Sequence, residues 1–216
     1  MMDKTHTTPT FDHELNHLFA SVMEMGALVE FQLRQVIAAA RDAQPKTVEA
    51  LLARAREIQH HQDRIARGTM LTISRRQLAA RDLRLIMAIS HIAAQLQDIG
   101  DEILRVAYAL TDDQGCIYRL PACNWQTGAD QASHVLNRAL SAFERLDMTL
   151  AASLLPPKDQ SHPAPAPRQD ALLAHMAQDP SNIAASVVAL LLIHAMHRIA
   201  EHASAIAQAT TAIESR

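Results

Sequence analysis

An all-α fold is what this sequence predicts, on three observations. Aromatic residues make up only 3% of the 216 residues and Gly contributes only 5, whereas sheets favour aromatic and β-branched side chains and need many tight turns. The apolar share, 49%, is carried mainly by Ala, Leu, Ile and Met. Apolar positions then recur every three or four residues over long stretches, the period of an amphipathic helix.

Residues 1–10 read as a tail. From Phe11 one stripe runs through Leu15, Leu18, Val22, Met25, Val29, Leu33 and Val36, a long first helix that Pro45 ends. Val48, Leu51, Ala55, Ile58 and Ile65 mark a second helix; Leu83, Ile86, Met87, Leu96, Ile99, Ile103, Val106 and Leu110 mark a third. Three long helices with short links predict an antiparallel three-helix bundle over residues 11–112. The stretch 113–127, with Gly115, Pro121 and the single Trp, reads as a connector. Periodicity returns at Ala132, Val135, Leu136, Leu140, Phe143, Leu146 and Leu150. The segment from Leu154 to Asp170 then holds five of the nine prolines, and no helix crosses it. A short helix over 169–178 and a last long one over 182–213 complete the chain.

A shift of 100 positions lays the third helix on the last. Asp98-Ile99-Gly100-Asp101 then faces Arg198-Ile199-Ala200-Glu201, and Gln97 faces His197. The expected architecture is therefore two tandem three-helix bundles, the second over 128–213. Its second helix is shortened by the Pro-rich insert 156–167.

Composition also narrows function. Twenty Lys and Arg stand against 23 Asp and Glu, net −3, so no global positive field attracts nucleic acid. Cys116 and Cys123 are too few for a disulfide scaffold and lack zinc-finger spacing. The first residues carry no apolar signal region, and the longest apolar run, Ile183 to Met196, reads as too short to span a bilayer. A cytoplasmic protein without membrane insertion is expected. No phosphate loop, dinucleotide fingerprint or nucleophile elbow occurs, so the expectation is a non-enzyme.

The twelve His ask for an explanation. His194, His197 and Glu201 fall at i, i+3 and i+7, on one helix face, where a zinc, iron or nickel ion could take nitrogen and oxygen ligands. The plainer reading is polar residues lining a solvated groove. Glu14-x-x-His17 and Glu57-x-x-His60 have di-iron spacing. In a hairpin turning near residue 44, however, the pairs lie roughly 25 Å apart along the axis. His60, His61 and Asp63 read as a solvated face. Arg75, Arg76, Arg81 and Arg84 cluster at a helix start and could meet an acidic partner or a phosphate, although such clusters are usually just exposed.

Three stretches, residues 11–33, 73–103 and 195–206, resemble the PhoU family of phosphate-signalling proteins. The first is similar to the family's opening helix, with Met23-x-Met25-Gly26. The second carries Asp82-Leu83-Arg84-Leu85 and Ile99-Gly100-Asp101, and the third is the counterpart of that motif in the second repeat. The resemblance implies two three-helix bundles, a homodimer, and a cytoplasmic adaptor between a phosphate ABC transporter ATPase and a sensor histidine kinase. Such a protein keeps phosphate-starvation genes off when phosphate is plentiful.

The family signature, Glu-Arg-Ile-Gly-Asp-x-x-x-Asn once per repeat, binds metal through oxygen. In the first repeat Gln97 stands for the Glu, Asp101 matches, and Arg105 replaces the Asn. In the second, His197, Glu201 and Ala205 replace Glu, Asp and Asn. The metal candidates are thus Asp101, His194, His197 and Glu201. The competing expectation for Asp101 is an intrahelical pair with Arg105. The alternative to the adaptor is a helical transition-metal-binding or scaffold protein without the phosphate link.

Overall fold

The computed structural model describes residues 9–42, 45–75, 77–112, 125–155 and 168–214, and every element in them is helical. In chain order these are α1 (Pro9–Asp42), α2 (Pro45–Arg75), α3 (Ala80–Asp112), α4 (Trp125–Glu144), α5 (Met148–Ser153), α6 (Arg168–Gln178) and α7 (Ile183–Thr211). A 3₁₀ turn, Pro180–Asn182, leads into α7. Proline opens α1, α2 and this turn, where its fixed φ suits a helix start and its missing N–H is not needed. The cysteines, most of the expected connector and the Pro-rich insert lie outside the described residues.

Helices α1, α2 and α3 pack on one another, α4 packs along α7, and the two groups meet through α3 against α7 and α1 against α4. Glycine permits two of these approaches. A Cβ on Gly100 of α3 would lie 3.0 Å from Ile58 Cδ1 on α2. One on Gly26 of α1 would lie 2.9 Å from Leu140 Cδ2 on α4. The core is built as the stripes predict: Val22, Met25, Val29, Leu33 and Val36 of α1, Ile58 and Ile65 of α2, and Leu96, Ile99 and Ile103 of α3 are buried. They share one apolar cluster with Leu136 and Phe143 of α4 and Leu192, Met196 and Ile199 of α7.

Four local expectations are corrected. Trp125 is not a connector residue; it opens α4 and is buried. Leu83 and Met87, assigned to the apolar stripe of the third helix, are exposed, because the buried face near that end runs through Ile86 and Ile89. The fourth stripe is not one helix. It breaks where Leu146 takes φ 49 and Asp147 caps α5 by accepting the Leu150 N–H at 2.9 Å. A left-handed leucine costs about 1 kcal/mol, and such a cap recovers a similar amount.

The fourth correction concerns α7. With its 3₁₀ turn the helical stretch Pro180–Thr211 is long and apolar enough, by length and composition, to cross a membrane. Here it is a core helix, packed against α3, α4, α5 and α6. Asp179 caps its approach by accepting the Ser181 N–H at 2.8 Å, and that hydrogen bond holds its carboxyl below the usual carboxylate range.

Candidate functional site

Two of the positions matched by the 100-residue shift, Asp98 and Arg198, reach across where α3 and α7 run antiparallel, to His202 and Glu102. Glu102 is the centre of this seam and is only 4% exposed. Burying an unpaired carboxylate is costly, so the surrounding cations matter. Arg105, one turn on, donates from Nη1 to both carboxylate oxygens at 3.1 and 3.2 Å. From α7, Arg198 Nε lies 3.8 Å from Glu102 Oε1, while its Nη1 donates to Glu201 at 3.2 Å. Arg198 Nη2 lies 3.2 Å from His202 Nε2, and His202 Nδ1 lies 2.9 Å from Gln95 Oε1 and 3.7 Å from Asp98 Oδ2. Guanidinium only donates and an amide oxygen only accepts, so these contacts together fit the tautomer with the proton on Nδ1. The chain Gln95–His202–Arg198–Glu102–Arg105 ties α3 to α7.

The expected pair of Asp101 with Arg105 is not formed. Arg105 turns to Glu102, where pairing offsets the loss of water, and Asp101 instead accepts the Gln97 amide at 3.0 Å. Of the metal candidates, His197 and Glu201 approach to 3.4 Å, but His194 is exposed and Asp101 stays with Gln97. Among the described residues no three His, Cys, Asp or Glu side chains gather in a metal-holding group. One reason is visible: Arg198 occupies the second oxygen of Glu201.

The other sequence features separate. Leu18 packs on Gly68, so His17 stands level with the C-terminal end of α2, far from Glu57. Asp63 accepts the Gln59 amide at 3.1 Å. Arg84 leaves the basic cluster and donates from Nε to the Ile213 carbonyl at 3.0 Å, satisfying the C-terminal end of α7. Sequence reasoning missed Glu102, Arg198 and His202 as a linked set. The signal was present: the shift superposed polar positions on two otherwise apolar helices, and such positions need partners.

Comparison with known proteins agrees with this architecture. The PhoU domain family matches residues 22–110, that is, α1 from its fourth turn through nearly all of α3. A Burkholderia protein named phosphate-specific transport system accessory protein PhoU homolog is 29% identical over 213 residues, covering 97% of this chain and 90% of that one. The Escherichia coli K12 accessory protein PhoU is 25% identical over 199 residues, 91% of this chain and 81% of the relative. The crystal structure of PhoU from Pseudomonas aeruginosa superposes with a TM-score of 0.82 at 26% identity, covering 94% of this chain and 98% of that one. The phosphate transport regulatory protein PhoU from Streptococcus pneumoniae, 19% identical with a TM-score of 0.81, shares the fold. The motif positions, the seam and this near full-length likeness lead to one conclusion: the chain has the PhoU fold and is similar to PhoU proteins over nearly its whole length.

Proposed function

We propose that this protein is a regulatory accessory factor of phosphate transport. It acts as a cytoplasmic, homodimeric adaptor that contacts a phosphate ABC transporter ATPase and a sensor histidine kinase and represses uptake and starvation genes when phosphate is plentiful. The observation that carries the reading is the likeness, over 94% of the chain, to a PhoU of solved structure, together with relatives named as accessory proteins of phosphate-specific transport. The mechanism is binding rather than catalysis. The α3–α7 seam holds two helices in fixed register, so that a contact on one is felt on the other. Deleting the gene is expected to raise a phosphate-starvation reporter such as alkaline phosphatase severalfold in phosphate-rich medium, with the intact gene restoring repression. Unchanged repression, in a genome with no second family copy, overturns the adaptor.

A second reading rests on the 3.4 Å approach of His197 to Glu201. It makes this pair part of a transition-metal site for zinc or iron, with His194 one turn away completing the set by a change of rotamer. Titrating the purified, metal-stripped chain with zinc is expected to give saturable binding that His197→Ala weakens severalfold. Binding that is absent, or indifferent to that substitution, removes the metal.

A further inference from the structure

Between α1 and α4, away from the α3–α7 seam, lies an open cavity of about 300 Å³. Its floor is Leu33 and Leu136, both buried. Its polar rim is Glu30 and Arg34 from α1, and Ser133, His134 and Asn137 from α4. One group of helices supplies one wall and the other group supplies the opposite wall.

The hydrogen bonding of this rim is asymmetric. The only carboxylate, Glu30, accepts the Asn137 amide at 3.1 Å. The Ser133 hydroxyl proton is committed to the Ala129 carbonyl at 2.8 Å. Arg34 sits one turn from Glu30, a spacing that commonly forms an ion pair, yet no such pair forms. Among the described residues, neither the Arg34 nor the His134 side chain makes a hydrogen bond or ion pair. The cavity therefore presents the guanidinium of Arg34, the imidazole of His134 and the second amide proton of Asn137 as open donors, while its negative charge is already engaged.

We propose that this cavity binds a small tetrahedral oxyanion of the inorganic phosphate class. Guanidinium donates two parallel N–H groups to such an anion. Donors placed on two facing helices suit a tetrahedral ligand better than a planar carboxylate, which one fork would satisfy. The apolar floor limits depth and holds the anion at the rim, within reach of both helices. Bound there, the anion joins α1 to α4 between the Arg41–Asp130 ion pair at 3.1 Å and the packing of Gly26 on Leu140. Because the donors are exposed, saturation belongs in the millimolar range. The site stands on its own geometry, so the reporter assay above and a phosphate titration can fail separately.

The test is a titration of the full chain with inorganic phosphate at constant ionic strength, read by calorimetry and by amide NMR shifts. Saturable binding is expected, with the largest shifts near residues 30–34 and 133–137. Arg34→Ala is expected to weaken it about tenfold, the loss of a charge-assisted donor pair. Glu30→Gln, which keeps the hydrogen bond to Asn137 but removes the repelling charge, is expected to tighten it severalfold. Arg34 is exposed, so thermal unfolding of Arg34→Ala matches the parent and verifies that the variant is folded. Absence of saturation through the tens of millimolar overturns the proposal, as does binding that Arg34→Ala leaves unchanged. O-phosphoserine binding more tightly than inorganic phosphate also overturns it, since the ligand would then be a phosphomonoester.

Discussion

Phe143→Ala is expected to lower stability by about 3–5 kcal/mol, the usual cost of emptying a large buried aromatic site. Phe143 is fully buried at the end of α4, and its ring stands 4.8 Å from that of Phe19 on α1, tilted by 31°. The pair bridges the two helix groups, which meet elsewhere on this side through the Gly26–Leu140 contact. Removing one ring leaves a void lined by helices that α3 and α7 hold in place, so collapse is limited and the full cavity cost applies. For a chain of this size the melting temperature falls by on the order of 10 °C. Phe19→Ala costs less, because Phe19 is only partly buried. A double-mutant cycle on the two rings isolates the aromatic contact, expected at about 1 kcal/mol beyond area. Denaturant unfolding of the four proteins checks this. A loss for Phe143→Ala below about 1 kcal/mol would mean that the two groups of helices unfold independently.

What the sequence made legible follows from which interactions are local. Helix positions came from a 3.6-residue period that needs no knowledge of partners, so the first stripe from Leu18 to Val36 is the buried face of α1. The errors lie where a single residue overrides the period. Asp147, by capping α5, cuts a stripe that looked continuous, and Trp125 starts a helix in a stretch that composition marked as a loop. Pairing across helices was less legible. Arg105 has Asp101 at i−4 and Glu102 at i−3, and spacing cannot choose between them. Burial chooses, because Glu102 faces α7 without water and Asp101 does not. The Arg198–Glu102 link spans two helices and needed the fold: the 100-residue shift had matched Arg198 with Asp98 and stopped one residue short of Glu102.

That link yields the second large effect. Replacing both Arg105 and Arg198 by Met is expected to cost about 2–4 kcal/mol, somewhat under the usual penalty for stranding a buried charge. The discount follows from exposure: the Glu102 side chain is 6% exposed, but those of Arg105 and Arg198 are 59% and 42%. Water therefore already shares the cations, while the carboxylate depends on them. Each single substitution is expected to cost less than half the double, because the remaining guanidinium still faces the carboxylate; the two changes are non-additive for that reason. Adding Glu102→Met to the double variant is expected to recover most of the loss, since an apolar side chain of similar length needs no partner. Denaturant unfolding of the single, double and triple variants measures all three terms. A double variant as stable as the parent would show that water reaches Glu102. The polar seam would then be a solvated groove whose charges contribute little to holding α3 against α7. A double variant that is destabilised and then rescued shows that Glu102 is shut off from water and depends on its two cations, while apolar side chains hold the same seam without them. Arg105 and Arg198 then serve to keep a buried carboxylate paired, and the alignment of α3 on α7 rests on their shared apolar cluster.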